Sequence, residues 1–175
     1  LVPPENATIW RGPMASRALM QIVNETNWPE LDILLIDMPP GTGDIQLTLS
    51  ENIKCDGAII VTTPQNIALA DAEKGIQMFQ KVNTPILGLV ENMSQFVCSN
   101  CGASHELFGQ GGAQTCAQNH NLPLLAQLSL NPSVRQLADE GQPYSLNDTN
   151  LEYQKLAFSL MMQLSKNTQQ TIAIN

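Results

Sequence analysis

The stretch GAIIVTTPQNIALADAEKGIQMFQKVNTPILGLVEN, residues 57–92, contains two apolar, β-branched runs separated by one helical pattern. The runs at 57–62 and 85–92 are nearly continuous rather than alternating, which is typical of strands buried on both faces. The segment 66–82 between them has apolar residues at helical spacing, and Asn66 is placed to cap that helix. Strand, helix and strand in this order predict a right-handed crossover between parallel strands.

The alternation of strand and helix patterns continues on both sides of this stretch. Further strands are predicted at 32–37 and 122–128, and further helices at 14–27, 44–53, 109–119, 131–139 and 149–166. The predicted fold class is therefore α/β, a doubly wound parallel sheet with helices on both faces. At 175 residues, the whole chain is expected to belong to a single domain.

The composition argues against several classes of protein. Sixteen acidic residues against eight Lys and Arg give a formal net charge of −8, which disfavours nonspecific binding to nucleic acid or to an anionic membrane. No apolar run approaches the ~20 residues of a spanning helix. The N-terminal LVPPENATIW has no signal-peptide pattern, and four cysteines are too few for a disulfide scaffold. We therefore expect a cytoplasmic protein with neither nucleic acid nor membrane as partner.

Three polar clusters follow predicted strands, at the carboxyl ends where open parallel sheets bind their ligands. The clusters are DMPPGTGD at 37–44, TTPQN at 62–66 and ENMSQFVCSNCG at 91–102. All three are expected to lie on one edge of the sheet.

The first cluster has a functional and an ordinary interpretation. Asp37 would end an apolar strand, a position at which a carboxylate can hold Mg²⁺ beside bound phosphates. Gly41 and Gly43 let backbone amides approach a phosphate oxygen, and Thr42 adds a hydroxyl. Asp44 is placed to cap the next helix. The ordinary interpretation is a strand-to-helix turn with an N-cap, and the spacing alone leaves both open.

The other two clusters are equally open on spacing alone. Pro64 and Gln65 follow one strand and suit an ordinary turn before a helix. The Asn92 carboxamide presents an acceptor and two donors, which suit a nucleobase edge as well as a turn.

Cys98 and Cys101 form a C-x-x-C pair on a predicted loop, and this spacing lets two thiolates face one metal, as in zinc and iron–sulfur sites. A site of this kind needs four ligands, and the sequence contains no second C-x-x-C. Either His105 completes a poor three-ligand site, or two chains of a two-fold dimer each contribute one pair.

Other interpretations of the cysteines are weaker. A thioredoxin-like redox pair is disfavoured because Gly102 follows the second cysteine and no apolar helical pattern begins at Cys98. Cys55 and Cys116 stand alone, and we interpret them as buried or incidental.

Taken together, these segments closely resemble the Mrp/ApbC family of P-loop NTPases, iron–sulfur cluster carriers related to the MinD and ParA ATPases. The resemblance covers almost all of the chain. It rests on WRGPMASRALMQ (10–21), LLIDMPPGTGDIQLTL (34–49), VTTPQNIALADAEKGI (61–76), GLVENMSQFVCSNCG (88–102) and LADEGQP (137–143). The combination of DMPPGTGD with the C-x-x-C segment is its most specific part.

The resemblance implies a homodimer that bridges a [4Fe–4S] cluster between two C-x-x-C pairs, with Cys98 and Cys101 as the ligands from this chain. Such a dimer exchanges clusters with cluster scaffold proteins and apo iron–sulfur proteins, and ATP and Mg²⁺ are tied to the cycle. Asp37 matches the acidic residue of the Walker B strand, and 39–44 matches the switch II region. Asn92 matches an asparagine near the adenine.

The resemblance thus supplies a set of expected site residues. The expected catalytic residues are Asp37 and Asp44, and the expected nucleotide-binding residues are Gly41, Thr42, Gly43, Pro64, Gln65 and Asn92. For Pro64 and Gln65 it implies only closeness to the nucleotide.

One departure from the family is large, because no G-x-x-x-x-G-K-[ST] occurs in these 175 residues. The sequence therefore looks like the C-terminal part of a longer protein, and we expect this part alone neither to bind ATP tightly nor to hydrolyse it. In the family's fold, the missing first strand lies between those matching 32–37 and 57–62. We expect that gap to close by new pairing or by exchange with another chain.

Two other functions are kept as alternatives. A positioning ATPase of the MinD or ParA type would need a membrane-targeting amphipathic helix or a basic surface. The tail EYQKLAFSLMMQLSKN, 152–167, has only two lysines and is interpreted as a packing helix. A zinc-bridged dimer without transfer activity is the second alternative.

Overall fold

The computed structural model describes residues 12–38, 43–142 and 151–172. The chain divides into two compact units, residues 1–55 and 56–175, and each is described by itself. In chain order the helices are α1 Gly12–Glu25, α2 Asp44–Asn52, α3 Asn66–Lys81, α4 Gly112–Asn119, α5 Pro132–Asp139 and α6 Leu151–Ile172. The strands are β1 Ala58–Thr62, β2 Ile86–Asn92, β3 Phe96–Val97, β4 Ser104–His105 and β5 Leu124–Leu128.

The six predicted helices are all present, with differences at their ends. Helix α6 continues to Ile172, six residues beyond the predicted end at 166. The prediction that Asn66 caps α3 is wrong, because the N-cap is Gln65 and Asn66 is the first helical residue. None of the described helices is long and apolar enough to cross a bilayer.

The first unit contains α1 and α2, which pack against each other. Ser16 of α1 is buried, as are Gln46 and Leu49 of α2. The end of α1 is closed by side chains of the next residues: the Thr26 hydroxyl donates to the Ile22 carbonyl, and the Trp28 Nε1–H donates to the Val23 carbonyl over 2.9 Å.

The strand predicted at 32–37 is wrong. These residues form neither helix nor strand, and Leu35 is 80 % exposed. An apolar run becomes a strand only where a neighbouring strand takes up its N–H and C=O groups, and 32–37 pairs with none of the described strands. Closure of the gap by new pairing of this segment is therefore not seen within the described part of the chain, and closure by exchange with another chain stays a prediction.

The second unit is built on a three-stranded parallel sheet in the order β1-β2-β5. In the register of β1 and β2, Val61 lies opposite Val90 and Thr62 opposite Glu91. Strands β1 and β2 are parallel neighbours and are connected through α3, as predicted. Strand β5 extends the sheet on the far side of β2, with Val90 opposite Ala126.

Helices cover both faces of this sheet, as the predicted fold class requires. On one face, Ile76 of α3 and Cys116 of α4 pack in one buried cluster with Leu89 of β2. On the other face, Leu128 of β5 and its buried neighbours pack against Leu156 and other apolar residues of α6. The tail helix is therefore a packing helix, as its sequence predicts.

Replacement by alanine is expected to change the free energy of unfolding in opposite directions at two glycines of this unit. Gly88 has φ +149°, and a Cβ there would lie 2.5 Å from the Pro123 carbonyl oxygen, so Gly88→Ala should lower the free energy of unfolding by about 1–3 kcal/mol. Gly75 lies inside α3, and its Cβ would meet only the Ile60 side chain, at 3.8 Å. Gly75→Ala should therefore raise that free energy by about 0.5–1 kcal/mol. Urea unfolding of both variants checks the two signs, and equal effects would contradict them.

Candidate functional site

The carboxyl ends of β1 and β2 lie side by side, because the two strands are parallel neighbours. After β1, Pro64 is buried and Gln65 is exposed, and the Gln65 side-chain oxygen lies 3.3 Å from the Thr63 hydroxyl. At the end of β2, Asn92 is half-buried, and its Oδ1 accepts from the Met93 amide over 2.9 Å. The structure therefore brings the loop of Pro64 and Gln65 to the same sheet edge as Asn92.

The segment before α4 packs on the loop that follows β1. A Cβ at Gly112 would lie 2.8 Å from the Pro64 carbonyl oxygen and 2.5 Å from a Leu69 methyl, so only glycine fits without movement. A Cβ at Gly109 would also lie beside Pro64, 3.9 Å from its carbonyl oxygen. The chain that leaves the cysteine loop therefore returns directly to the sheet edge.

Glu91 is a buried carboxylate at this edge that the sequence reasoning missed. It is 1 % exposed, and its Oε2 accepts from the Ala113 amide over 3.0 Å, within the first turn of α4. Its Oε1 accepts from Gln127 Nε2 of β5 over 2.7 Å. A negative charge suits a helix N-terminus, and donors on both sides offset its burial. The sequence feature that could have indicated Glu91 is an acidic residue inside an otherwise apolar strand, ILGLVEN.

Cys98 and Cys101 lie in the turn of a small antiparallel hairpin formed by β3 and β4. The Cys98 amide donates to the Ala103 carbonyl, and the Gly102 amide donates back to the Cys98 carbonyl, each over 2.9 Å. Gly102 has φ +72°, a left-handed conformation that closes the turn and favours glycine. Both cysteines are free thiols, Cys98 half-buried and Cys101 exposed. The predicted loop placement of the C-x-x-C is confirmed.

The turn directs hydrogen-bond donors at one sulphur. The backbone N–H groups of Cys101 and Asn100 lower the pKa of Cys98, and the Cys101 side chain acts in the same direction, while desolvation opposes them. Donors that favour the thiolate also favour metal binding, because the thiolate is the form that ligates.

This pKa shift predicts how alkylation of Cys98 depends on pH. Because the pKa is lowered in the folded chain, the iodoacetamide rate at Cys98 should reach half its plateau at a lower pH than in the same chain unfolded in urea. Peptide mass spectrometry at graded pH measures it. The control is Cys116, which is 4 % exposed and whose pKa is raised by burial and by Glu73, so it should react far more slowly than Cys98 in the folded chain. An unshifted midpoint at Cys98 would contradict the prediction.

A series of side-chain hydrogen bonds fixes this hairpin to the rest of the second unit. The Ser104 hydroxyl of β4 donates to Gln95 Oε1 over 2.9 Å, and Gln95 Nε2 donates to the Ser129 hydroxyl over 3.3 Å. Ser129 in turn donates to the Glu152 carboxylate at the start of α6, from its hydroxyl over 2.7 Å and from its amide over 2.9 Å. The turn that holds the cysteines is thereby tied to the sheet and to α6.

The hairpin supplies only two protein ligands from the described residues. His105 is exposed on β4, opposite Phe96, and it forms no three-ligand cluster with Cys98 and Cys101 within 4.8 Å in the ranges that the structure describes. The interpretation that His105 completes a site in one chain is therefore wrong there, and a site shared between two chains stays a prediction.

The remaining predicted residues belong to the first unit. Asp37 is exposed and does not end a strand, since 32–37 is irregular. Gly41 and Thr42 lie outside the described residues. The N-cap of α2 is Gly43, with extended backbone, so the prediction that Asp44 caps this helix is wrong and Asp44 is its first residue. The roles of these residues in nucleotide chemistry stay predictions.

Comparison with known proteins identifies the family of this chain. A family model described as "ParA: NUBPL iron-transfer P-loop NTPase" matches residues 1–165. The "Iron-sulfur cluster carrier protein" of Escherichia coli K12 is 54 % identical over 168 residues, which cover 94 % of this chain and 46 % of that protein. The mouse "Iron-sulfur cluster transfer protein NUBPL" is 48 % identical over 143 residues, or 82 % of this chain and 45 % of that protein. The chain thus spans about half the length of these relatives.

Solved structures agree on the fold. A nucleotide-binding protein from Archaeoglobus fulgidus in complex with ADP superposes with a TM-score of 0.65 at 39 % identity, over 73 % of this chain and 52 % of that one. The cell division ATPase MinD of Pyrococcus furiosus gives a TM-score of 0.59 at 22 % identity, over 89 % of this chain and 63 % of that one, which bears on the fold alone.

Proposed function

Because the chain belongs to the NUBPL iron-transfer P-loop NTPase family, we propose that it is the cluster-bearing part of an iron–sulfur cluster carrier. The cluster is the cargo, and Cys98 and Cys101 are its ligands. The names of the relatives from Escherichia coli and mouse, a cluster carrier and a cluster transfer protein, support this role. Apo iron–sulfur proteins and cluster scaffold proteins are the partners that such a role requires.

The turn of the hairpin is the observation that carries this proposal. It presents two free thiols three positions apart, and its amides favour the thiolate at Cys98. The described residues provide no third ligand beside them. A [4Fe–4S] cluster with four thiolate ligands is then completed by the same pair from a second chain, as the two-fold axis of a homodimer allows.

The two ligands differ in a way that suits transfer. Cys98 is half-buried and held by turn amides, whereas Cys101 is exposed. A thiolate of an acceptor protein would reach the exposed Cys101 more readily than the half-buried Cys98. We expect the bond to Cys101 to be exchanged first, and the bond to Cys98 to hold the cluster until the acceptor has engaged.

Nucleotide binding is proposed for the whole protein and not for this chain alone. Pro64, Gln65 and Asn92 would lie beside the nucleotide at the sheet edge, and ATP with Mg²⁺ would further require the residues proposed in the first unit. These are Asp37, Gly41, Thr42, Gly43 and Asp44. The donor set for the phosphates is incomplete, because this sequence contains no G-x-x-x-x-G-K-[ST].

The incomplete phosphate site predicts that the purified chain has no ATPase activity. Without the lysine and the amide nest, the β- and γ-phosphates lack their main protein contacts. Phosphate release should equal the buffer blank, and isothermal titration with Mg²⁺-ATP should give no heat of binding at micromolar protein. Turnover that copurifies with the chain and is lost in Asp37→Ala would contradict this prediction.

Anaerobic reconstitution with Fe²⁺ and sulfide tests the carrier role. We expect the visible absorption of an iron–sulfur cluster, about two iron atoms per chain, and a dimer by analytical ultracentrifugation. The loaded dimer should restore activity to the apo form of a [4Fe–4S] enzyme faster than free iron and sulfide do. A cluster that binds to a monomer, or loading without transfer, would contradict the proposal.

The alternatives give different results in the same experiment. A zinc-bridged dimer would contain zinc and reject iron and sulfide. A positioning ATPase of the MinD or ParA type would need a free amphipathic tail helix, and α6 instead packs its inner face on the sheet. A reducing cytoplasm suits the proposed role, since both ligands must stay free thiols.

A further inference from the structure

Three potential metal ligands converge between α3 and α4, outside the cysteine hairpin. They are Glu73, Cys116 and His120, and one ligand atom of each lies within 4.8 Å of the other two. Cys116 is 4 % exposed and His120 is half-buried. Within the described ranges, this is the cluster of three such groups that the structure brings together.

The fold accounts for the convergence. Cys116 and His120 are four positions apart at the end of α4, so their side chains lie on one side of the helix. The His120 amide donates to the Cys116 carbonyl over 3.2 Å, which continues the helical turn through this residue. Glu73 comes from α3, next to Ala72, which packs with Cys116 in the same buried cluster.

The three groups are a suitable ligand set for a borderline divalent cation. Thiolate, imidazole and carboxylate are the usual protein ligands of Zn²⁺, and its bond lengths place neighbouring ligand atoms about 3.5 Å apart in a tetrahedron. The ligand atoms lie within 4.8 Å of one another, and we expect the Glu73 and His120 side chains to rotate to the shorter spacing when an ion binds. Among the described residues, no side-chain hydrogen bond competes with metal binding for the Glu73 carboxylate or the His120 ring.

The electrostatics of the cluster also favour a cation. The Glu73 carboxylate lies beside the Cys116 thiol, and two adjacent negative charges would be unfavourable where little water reaches them. A divalent ion replaces the thiol proton, which leaves to solvent, and neutralises both charges.

We propose that Glu73, Cys116 and His120 form a second metal site, which binds one Zn²⁺ with water in the fourth position and ties α3 to α4. The site is independent of the proposed cluster carrier role. Helix α3 begins directly after Gln65, so the bound ion would stabilise the helix that follows the loop at the sheet edge.

Cobalt titration of the 175-residue chain tests the site. Cys98 and Cys101 are first replaced by serine, so that the hairpin cannot bind the metal. Under anaerobic, reducing conditions we expect one Co²⁺ per chain, with the near-ultraviolet charge-transfer band of a cobalt thiolate, and loss of the band when Zn²⁺ is added. The metal should also raise the melting temperature of this double variant.

Further substitutions in the same background assign the ligands. Cys116→Ala should remove the thiolate band, and Glu73→Gln and His120→Gln should each weaken Co²⁺ binding at least about tenfold. Because Cys116 is buried, circular dichroism must show that its variant is folded, and the Gln variants keep the test decisive if it is not. Cys55→Ser and His105→Gln are the matched controls and should change nothing.

Several results would overturn the site. These are no Co²⁺ binding, a thiolate band that survives Cys116→Ala, and unchanged affinity in both Glu73→Gln and His120→Gln. The test does not depend on iron, sulfide or transfer, so its failure leaves the carrier proposal standing, and failure of the carrier proposal leaves this site standing.

Discussion

Serine at both Cys98 and Cys101 is expected to abolish loading with an iron–sulfur cluster, from about two iron atoms per chain to background. The physical reason is that the described part of the hairpin offers no other cysteine, histidine or carboxylate close enough to replace a lost thiolate. The dimer should be lost together with the iron, because each chain supplies only half of the ligands. Iron and sulfide analysis after anaerobic reconstitution, with sedimentation in parallel, measures both.

The single variants and a matched control sharpen this result. Cys98→Ser should lower iron content more than Cys101→Ser, because the turn amides support the thiolate at Cys98. Cys55→Ser removes a thiol from the first unit and should leave the iron content unchanged. Full loading of the double variant would show that the cluster binds elsewhere, and a dimer that persists without iron would separate dimerisation from the cluster.

Glu91→Ala is expected to lower the free energy of unfolding by about 2–4 kcal/mol. The substitution removes the acceptor of two hydrogen bonds, from the Ala113 amide and from Gln127 Nε2, at a side chain that is 1 % exposed. Donors left buried without a partner are expensive, and the lost side chain adds a cavity. Because Ala113 lies in the first turn of α4, that helix should lose hydrogen-exchange protection at its start.

The control for Glu91 is another glutamate of the same unit. Glu106 is exposed beside β4, so Glu106→Ala should change the unfolding free energy by less than about 0.5 kcal/mol. Urea unfolding of the two variants and the parent chain gives the comparison. If Glu91→Ala were as stable as Glu106→Ala, the carboxylate would not be holding α4 to the sheet.

The sheet of the second unit could be predicted because its strands carry their own signal. The runs at 57–62, 85–92 and 122–128 are apolar, short and bounded by turn residues, and each contains one of the observed strands. The run at 32–37 has the same composition and forms no strand. An apolar composition indicates that a segment favours burial. A strand also needs a neighbouring strand to pair with, and whether one is present depends on the rest of the chain.

The candidate site could be predicted where it is local in sequence or where parallel strands bring their carboxyl ends to one edge. The C-x-x-C and Gly102 lie within five residues, so their spacing already indicates a turn with two thiols. Glu91 bonds to residues 22 and 36 positions away, and nothing in its neighbourhood indicates those partners. The capping role predicted for Asp44 failed for a smaller reason, because α2 begins one residue earlier than its polar pattern indicates.

The hydrogen-bond chain from Ser104 through Gln95 and Ser129 to Glu152 bears on attempts to transplant the cysteine turn into another scaffold. A graft of residues 96–105 alone would bring both sulphurs and the glycine, but not the groups that hold the turn in place, which lie before it and up to 47 residues after it. A designer would have to copy the anchoring side chains together with the turn, so the smallest portable version of this motif is a discontinuous set of residues.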